Sequence, residues 1–553
     1  MNNICIGENG HIQYDWSDNI REKIVQFNFQ LVRDANIDYM ENKMKEILNI
    51  INNLVDETDK PLKKELLTIM FKLIIFTRDI IYGKGECKLS YMMIKVWYDT
   101  FKTDVDFLLC SFFSHYDYFT HEYKKKHTIG SWKDIKYFCN YCIEKGYSKD
   151  HILIDYLIEI TNMQLKYDHC LIKSNNKLNK LSLAAKWIPR EKSRKFGWLF
   201  KRLAYNYYKA YFNTNTNTNA NTNIKAAKMH AIIGYRKLLS EINAKLKTTQ
   251  IYQCNNEWTK INFDNVTSQT LQKQKNAFYK HCPEEFIDFV SYSSNIYSFH
   301  VDIGNIVQEG IQYALSNVAE NDHKITLINK QWNNFLNYIY DLEYILPIVD
   351  ISFQQSEHSK YVSLGLAILM SQKSSLKSRI LTFTSQINWF NIENCKTFYD
   401  IIKLLINNCW DLNSNFDNVL DFLKDGIINN NVHDLILVIF SNMQFDNNNI
   451  HNNNCVYQKI KNTFKNSIVP QIVFWNTSYS NGFPCNYDQK NVSMVSGVNS
   501  QLINNFKKKS ETSLHYKSCT PWTTFKKMID HNRYKDAEDY ITKKIDLIFS
   551  QNY

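Results

Sequence analysis

The 553-residue sequence predicts a multidomain protein in which an α-helical solenoid or bundle precedes an α/β domain with a mostly parallel sheet. Three observations support this prediction. The chain is too long for one hydrophobic core, because domains usually hold about 50–200 residues. Apolar residues recur three and four apart before about residue 330, and short apolar runs alternate with helical patterns after about residue 340.

The first half is predicted to be helical because several long stretches carry the helical apolar spacing and because glycine and proline are scarce, at 14 and 7 in the whole chain. Successive helices with short connections favour an α-solenoid or bundle over residues 1–335, although no repeat of fixed period is visible. The asparagine-rich tract at 213–223 is predicted to be a loop. The clearest helical stretches are MENKMKEILNIINNLVDE (40–57), LLTIMFKLIIFTRDIIY (66–82), KLSYMMIKVWYDTFKTDVDFLLCSFF (88–113) and HILIDYLIEITNMQL (151–165).

The second half, over 340–510, is predicted to form the α/β domain, and residues 511–553 a C-terminal helical extension. Its strand candidates are apolar throughout, which is typical of parallel strands covered on both faces. They are YILPIVDIS (344–352), SRILTFTS (378–385), DLILVIFSNM (434–443), PQIVFWNTSY (470–479) and VSMVSG (492–497). Ligands of such sheets bind at the carboxyl ends of the strands, so we expect Asp350 and Ser352 to lie at a binding edge.

Composition argues against a membrane or secreted protein. No apolar run of about 18 residues lacks a charge, and the N-terminal MNNICIGENG lacks the pattern of a signal peptide. The thirteen scattered cysteines suit reduced thiols. Cys139 and Cys142 form a lone CxxC, which is better explained by two cysteines on a helix face than by a metal or redox site. We therefore expect a cytoplasmic location, either in a host cytoplasm or in a virion.

The positive charge of the chain is concentrated in one segment. Residues 171–250 hold 17 Lys or Arg and two acids, Glu191 and Glu241, whereas the rest of the chain holds 49 basic and 53 acidic residues. A general surplus of charge for solubility would be spread more evenly. This concentration favours a surface that binds phosphates.

The segment SLAAKWIPREKSRKFGWLFKRLAYNYYKAYF (182–212) is predicted to hold a helix that begins at Pro189. One face would pack on the core through Phe196, Leu199, Leu203, Tyr207 and Tyr211, and another would alternate cations with aromatic rings. Cations bind phosphates and aromatic rings stack on unpaired bases, whereas a solvated helix face is the alternative explanation. The residues predicted to contact nucleic acid are Lys186, Arg190, Lys192, Arg194, Lys195, Trp198, Arg202, Tyr205 and Lys209.

Two further lysines are weaker candidates for phosphate contact. Lys84 lies in YGKGECK (82–88), which lacks the spacing of a phosphate-binding P-loop, so Gly83 and Gly85 more simply shape a tight turn between helices. Lys133 lies in GSWKD (130–134), where a helix start capped by Ser131 is the alternative explanation.

The C-terminal half resembles a von Willebrand factor A (vWA) domain, through DISFQ (350–354), LNSNFDNVLD (412–421) and LVIFSNMQFD (437–446). This resemblance implies a Rossmann-like fold and a metal site whose positions are Asp350, Ser352, Gln354, Ser414 and Asn442. The family pattern has serine where Gln354 stands and aspartate where Asn442 stands. Because Mg²⁺ prefers carboxylate and other oxygen ligands, we expect this site to have lost its metal, with Mg²⁺ as the only cofactor to consider.

Four phrases in the first part of the chain resemble the domain of unknown function 2828, a family found in eukaryotes and giant DNA viruses. They are RDIIYGKGECKLSYMM (78–93), GSWKDIKY (130–137), SLAAKWIPREKS (182–193) and YRKLLSEINAKL (235–246). That family is similar to the Ro-type TROVE proteins, which pair an RNA-binding ring of helical repeats with a vWA domain. The resemblance implies RNA as the partner, but fold alone does not fix function.

We expect a non-enzymatic, ribonucleoprotein-type protein that binds single-stranded RNA on a basic helical surface, because no nucleophile–base set is visible. Protein partners would bind the vWA-like domain. The alternative is a viral or cytoplasmic interaction scaffold, such as a virion component, without specific RNA binding. A nuclease or other RNA-processing enzyme is a third, weaker interpretation.

Overall fold

The computed structural model contains two compact units, which we call the sheet unit (1–96 and 267–553) and the insert unit (97–266). These bounds differ from the sequence-based division, because residues 1–96 belong to the same compact unit as residues 267–553. The structure describes residues 4–7, 10–102, 105–113, 128–174, 181–210, 220–293, 296, 301–351, 356–384, 386–406, 416–430, 435–444, 455–464, 469–508 and 519–550.

The sheet unit begins with a short antiparallel hairpin followed by helices whose starts are set by capping side chains. Asn19 and Asn36 each accept hydrogen bonds from two N–H groups of the first helical turn. The elements are β1 (Ile4–Ile6), β2 (Ile12–Tyr14), α1 (Ile20–Gln30), α2 (Ile37–Asn52), α3 (Lys60–Arg78) and α4 (Cys87–Phe101), the last of which continues into the insert unit.

The insert unit is helical throughout its described residues, as its apolar spacing predicts. Its elements are α5 (Phe107–Phe112), α6 (Trp132–Glu144), α7 (Ile152–Lys173), α8 (Ala184–Trp187), α9 (Gly197–Tyr207), α10 (Ala220–Leu246) and α11 (Thr249–Cys254), followed by 3₁₀ turns at Trp258–Lys260 and Phe263–Asn265. Cys139 and Cys142 are fully buried on α6, and burial raises the pKa of the Cys139 thiol. This confirms the prediction of two cysteines on a helix face.

The chain then returns to the sheet unit with four helices, α12 (Ser268–His281), α13 (Pro283–Tyr292), α14 (Ile303–Leu315) and α15 (His323–Asn337). Strands and helices alternate after them as predicted. The elements are β3 (Ile345–Asp350), α16 (Glu357–Lys373), β4 (Arg379–Phe383), β5 (Ile387–Asn391), α17 (Phe398–Ile406), α18 (Phe416–Asn430), β6 (Ile436–Phe440), α19 (Val456–Thr463), β7 (Gln471–Asn476), β8 (Val492–Ser496), a 3₁₀ helix (Ser500–Phe506), α20 (Pro521–Ile529) and α21 (Lys535–Ser550).

The six-stranded sheet has the order β5-β4-β3-β6-β7-β8. Five strands are parallel, and β5 pairs antiparallel with β4 at one edge. The sequence did not predict β5, because its pattern INWFN is short and half exposed. The chain leaves β3 towards β4 and later crosses to β6, so the topological switch point lies between the carboxyl ends of β3 and β6. No helix among the described residues is long and apolar enough to cross a membrane.

Residues 79–86 form a tight turn between α3 and α4, as Gly83 and Gly85 predict. A Cβ on Gly83 would lie 1.9 Å from the Phe76 carbonyl oxygen, and Gly85 has a φ of +74°. The main chain closes through Lys84 N to Phe76 O (3.0 Å) and Gly85 N to Asp79 O (3.0 Å). Glycine is therefore required at both positions for steric reasons.

Lys84 points from this turn into the interior and is 1% exposed. Its ammonium donates to the carbonyl oxygens of Asn28 (2.5 Å) and Leu31 (3.1 Å) and to the Ser496 Oγ at the end of β8 (2.6 Å). Burial lowers the pKa of Lys84 well below its ordinary value. The expectation that Lys84 contacts a phosphate is corrected, because this ammonium is enclosed by protein oxygens.

Asp79, at the start of the same turn, is fully buried and binds the C-terminal helices. It accepts hydrogen bonds from the Ile81 N–H (3.0 Å), the Arg533 Nε (2.9 Å) and the Tyr534 hydroxyl (2.9 Å). The region predicted as a C-terminal extension thus packs against α3 as part of the sheet unit.

A second polar cluster joins the end of α1 to the helices beside the sheet. Arg33 bonds to Glu86 and Asp302, and the His358 Nε2 lies 3.2 Å from an Asp302 carboxylate oxygen. Burial raises the pKa of Asp302, but the neighbouring His358 and Arg33 lower it below its ordinary value overall. The hydrogen bond to Asp302 raises the pKa of His358 above its ordinary 6.5.

We expect Lys84→Ala to destabilise the protein, because two main-chain carbonyls would lose a donor and a cavity would open. The expected loss is about 2–4 kcal/mol of unfolding free energy, measured by urea denaturation. Lys88→Ala, which removes an exposed lysine a few residues away, is the control and should stay close to wild type. Equal stability of the two variants would contradict the structural role of Lys84.

The raised pKa of His358 predicts a pH-dependent contribution to stability. The folded state holds the His358 proton more tightly than the unfolded state, so this contribution is fully present below about pH 6.5 and is lost as pH rises through the raised pKa. The melting temperatures of wild type and His358→Gln should therefore differ most at acidic pH and converge at alkaline pH. A difference that stays constant with pH would count against the ion pair.

Candidate nucleic-acid interface

The insert unit contains a cleft of about 960 Å³ whose walls come from the basic segment and from α6. Lys136 of α6, the loop that follows α8, and residues of α9, α10 and α11 line it. The volume lies at the upper end of the range of about 300–1,000 Å³ that is typical of small-ligand sites.

The rim loop at residues 188–196 is held in a folded-back shape by short-range contacts. Ser193 N bonds to Arg190 O (3.0 Å) and Gly197 N bonds to Ser193 O (2.8 Å). A Cβ on Gly197 would lie 2.5 Å from the Glu191 carbonyl oxygen, so only glycine lets the loop close against the start of α9. The predicted helix start at Pro189 is wrong for this reason: the chain turns first and the helix begins at Gly197.

Buried contacts fix the helices that carry the cleft. Leu199 and Leu203 are buried, as predicted for the core face of α9. The Asn162 side chain of α7 donates to the Leu203 carbonyl oxygen (2.9 Å) and accepts from the Tyr235 hydroxyl of α10 (3.0 Å). Ser182 bonds through its Oγ to Asp168 (2.5 Å), which ties the chain entering α8 to α7. These hydrogen bonds hold α9, α10 and the segment before α8 against α7.

Three lysines lie around the Trp187 ring, and two of them, Lys136 and Lys186, line the cleft together with the ring. The ammonium of Lys136 lies 5.1 Å from the ring centroid, and those of Lys133 and Lys186 lie at 5.6 and 5.7 Å. The face of an aromatic ring attracts cations, which offsets part of their mutual repulsion. Burial lowers the pKa of Lys136, with a further contribution from the charge of Lys133, and burial also lowers the pKa of Lys186.

The charges that line the cleft are mostly uncompensated. Five cations and one carboxylate line it, and that carboxylate, Glu191, lies 3.4 Å from the Arg236 guanidinium. Within the described part of the chain, no carboxylate lies within 4.0 Å of the other four cations. These four are Lys136, Lys186, Arg190 and Lys192, and they give the cleft a net charge of +4.

Neutral polar groups occupy another part of the lining. Gln250 of α11 lines the cleft, and its Oε1 is buried without a hydrogen-bond partner among the described residues. Asn243 also lines the cleft, and its Nδ2 donates to the Ala185 carbonyl oxygen (3.4 Å). Gln250 therefore offers an acceptor to a ligand hydroxyl or amino group.

The structure separates the sequence-predicted residues into two groups. Lys186, Arg190 and Lys192 line the cleft. The predicted stripe of Arg194, Trp198, Arg202, Tyr205 and Lys209 lies outside the cleft lining, and so does Lys195. Of the residues predicted for the core face, Phe196 and Tyr207 are half-buried and Tyr211 lies outside the described residues.

Several cations outside the cleft already have internal partners. Arg202 pairs with Asp150 (2.7 Å) and with Asp155, and also donates to the Lys149 carbonyl oxygen. Lys195 pairs with Glu144 (3.0 Å). The expectation that Arg202 is a free phosphate contact is corrected, because two carboxylates offset its charge. The Lys149 ammonium lies 5.8 Å from the ring centroid of Trp198, and the Lys228 ammonium lies 5.8 Å from the ring centroid of Tyr205.

Lys133 belongs to the Trp187 cluster but is not part of the cleft lining. The alternative for its segment is confirmed, since Ser131 caps α6 and its N–H donates to Asp134 (2.6 Å). Sequence reasoning missed Lys136, Trp187, Phe196 and Arg236 as lining residues. The signal available was the helical spacing of Lys133, Lys136 and Tyr137 next to a capped helix start.

The second site expected from the sequence is the metal site at the carboxyl ends of the strands. Asp350 is fully buried at the carboxyl end of β3 and accepts from the Ser441 Oγ (3.2 Å). The Asn442 Oδ1 accepts from the Gln444 N–H (3.1 Å). Burial lowers the pKa of Lys360, and the nearby Asp350 and Glu357 carboxylates partly oppose that shift. Ser352, Gln354 and Ser414 lie outside the described residues.

The structure describes two of the five predicted ligand positions at this edge, Asp350 and Asn442. Asp350 is the single carboxylate among the predicted ligand positions, and a lysine ammonium already interacts with it. No group of three or more His, Cys, Asp or Glu that could hold a metal occurs in the described residues. The neighbouring strand ends are covered by the N-terminal segment: the Asn476 Nδ2 donates to the Phe29 carbonyl oxygen (3.2 Å).

Comparisons with known proteins give families without assigned function. Residues 143–342 match the family described as a domain of unknown function (DUF2828), and residues 347–545 match another domain of unknown function (DUF7788). The chain is similar to the uncharacterized protein L728 of Acanthamoeba polyphaga mimivirus, with 23% identity over 376 residues that cover 62% of this chain and 60% of that protein. No solved structure matches the chain.

These matches support the resemblance to the DUF2828 family that was drawn from short phrases of the sequence. Three of the four phrases meet in the cleft, which is lined by Lys136 of GSWKDIKY, by Lys186 of SLAAKWIPREKS and by Arg236 of YRKLLSEINAKL. The fourth phrase contains the buried turn around Lys84. The relation to TROVE proteins and to vWA domains stays a proposal.

We expect calorimetry with Mg²⁺ or Mn²⁺ to show no binding in the micromolar range, because Asp350 is the single carboxylate among the predicted ligand positions and already accepts a hydrogen bond from Ser441. The double substitution Gln354→Ser and Asn442→Asp, which adds a carboxylate, should increase the affinity. Micromolar binding by the wild-type protein that is abolished in Asp350→Ala would contradict this prediction.

Proposed function

We propose that this protein binds single-stranded RNA without catalysing a reaction, and that the cleft of the insert unit is its contact surface. The observation that carries the proposal is the set of four cations without carboxylate partners on the wall of one cleft. An anionic polymer supplies the missing counter-charge, and the cations release the counterions that are condensed on its phosphates.

Desolvation makes this set of cations costly in the absence of an anion. Lys136 and Lys186 are half-buried, and burial lowers the pKa of both. A phosphate beside them favours their charged form, so binding offsets an energetic cost that the folded chain otherwise carries. A surface kept basic only for solubility has no reason to place lysines in a cleft.

The aromatic lining favours a single strand over a duplex. Trp187, Phe196 and Phe200 line the cleft together with the cations. Unpaired bases can enter such a cleft and contact rings, at about 1–3 kcal/mol per stacked base. A duplex keeps its bases stacked inside and offers mainly its backbone.

The choice of RNA over DNA rests on the resemblance to Ro-type TROVE proteins. We also propose that the sheet unit contains a vWA-like domain with a degenerate metal site, which contacts protein partners. The strand order and the position of Asp350 at the switch point support this interpretation. A ring of HEAT-like repeats and a cytoplasmic or virion location belong to the same proposal.

A matched pair of triple variants tests the proposed surface. Lys186→Ala, Arg190→Ala and Lys192→Ala together should weaken binding of a labelled single strand and lower the log–log salt slope by about 2, since each phosphate contact on a single strand contributes about 0.7. Lys201→Ala, Lys225→Ala and Lys245→Ala remove the same charge at exposed positions outside the cleft. This control should keep most of the affinity.

Fluorescence anisotropy at several salt concentrations, with the single strand and its matching duplex, provides both readouts. Equal losses in the two variants would show that only net charge matters. Wild-type binding by the cleft variant would transfer support to the alternative, an interaction scaffold without specific RNA binding. Tighter binding of the duplex would contradict the preference for single strands.

A further inference from the structure

We propose that the cleft holds the phosphorylated 5′ end of an RNA strand rather than an internal stretch. This inference rests on the proposed function and names the part of the ligand that is recognised. The chemical group in question is a terminal phosphate or polyphosphate, which carries more charge per volume than the diester phosphates along a strand.

The density of cations is the first observation. Lys136 and Lys186 of the cleft lining, and the neighbouring Lys133 outside it, all place their ammonium groups within 6 Å of the same Trp187 ring centroid. An internal phosphate carries one negative charge, whereas a terminal phosphate ester carries about −1.5 to −2 at neutral pH, and a triphosphate carries more. A cluster this dense is better matched by a terminal group than by consecutive diesters spread along a groove.

The second observation is that Lys136 and Lys186 have no carboxylate within 4.0 Å among the described residues, whereas three other cations of the same unit do. Arg202, Lys195 and Arg236 each lie within 4.0 Å of a carboxylate. Among the described residues, Lys136 and Lys186 contact aromatic rings instead. An external anion in the cleft would therefore supply the counter-charge that Lys136 and Lys186 lack.

The shape and lining of the cleft add a third observation. A volume of about 960 Å³ is within the range of sites that enclose one small ligand, so it suits one terminal nucleotide with its phosphates. Phe200, Leu239 and Ile251 supply apolar surface for a base or ribose. The unpartnered Oε1 of Gln250 supplies an acceptor for a ribose hydroxyl or a base amino group.

The test compares three RNA oligonucleotides of one sequence that carry a 5′-triphosphate, a 5′-monophosphate or a 5′-hydroxyl group. Their affinities for the full-length protein are measured by anisotropy at a fixed salt concentration. We expect the triphosphate to bind about tenfold to a hundredfold more tightly than the hydroxyl form, as expected for added charge-assisted contacts. The monophosphate should lie between them.

Substitutions of single lysines test which side chains cause the preference for the 5′-triphosphate. Lys136→Met and Lys186→Met should each reduce the ratio of triphosphate to hydroxyl affinity while hydroxyl binding persists. Lys195→Met, whose lysine pairs with Glu144 outside the cleft, should leave the ratio unchanged. Lys136→Arg keeps the charge and should retain most of the preference, which separates a binding role from a loss of folding.

The outcomes distinguish this inference from the proposed function. Equal affinity for the three oligonucleotides, weakened alike by the cleft variants, would overturn recognition of the 5′ end and leave RNA binding intact. A free nucleoside triphosphate that competes fully with the triphosphate RNA, while the hydroxyl RNA fails to bind, would overturn both and identify a nucleotide site. Failure of all ligands to bind would also overturn both.

Discussion

The buried ammonium of Lys84 holds together parts of the sheet unit that are far apart in the sequence. It donates to two carbonyl oxygens at the end of α1 and to Ser496 at the end of β8. The turn that carries it also receives hydrogen bonds from Asn499, whose Nδ2 donates to the Gly83 carbonyl oxygen (2.7 Å). A buried ammonium needs such acceptors, because an unsatisfied charge in the interior is costly. These contacts bring residues 1–96 and the sheet into one compact unit.

The contacts between residues 1–96 and the sheet involve the carboxyl ends of the strands, where a ligand would otherwise bind. Doubly wound sheets usually bind ligands at the carboxyl ends of their strands. Here main-chain oxygens of α1 bond to side chains at the ends of β7 and β8, and Asp350 at the switch point is fully buried. Internal hydrogen bonds therefore use donors and acceptors that a ligand would otherwise contact.

In the insert unit, some cations pair with carboxylates, whereas four cations of the cleft do not. The carboxylates at the start of α7 neutralise Arg202, and α6 provides Glu144 for Lys195. The cleft lysines are held near one another by the Trp187 ring, whose negative face tolerates a local excess of positive charge. Compared with Arg202 and Lys195, the cleft residues Lys136, Lys186, Arg190 and Lys192 differ in having no carboxylate within 4.0 Å among the described residues.

The sequence by itself determined the periodic features of this protein. Apolar spacing specified the helices of the first half and the buried parallel strands of the second, because burial of one face or of both leaves a pattern in consecutive residues. The charge count of residues 171–250 specified which segment is basic. Only the tertiary structure decided which of its charges are free, since Arg202 meets Asp150 and Asp155 across a helix contact that no local pattern records. It likewise decided that Lys84 is buried, that Lys136 joins the cleft from α6, and that the helix starts at Gly197 instead of Pro189. Each of these depends on contacts between residues distant in the chain or on a loop closure that helical periodicity does not describe.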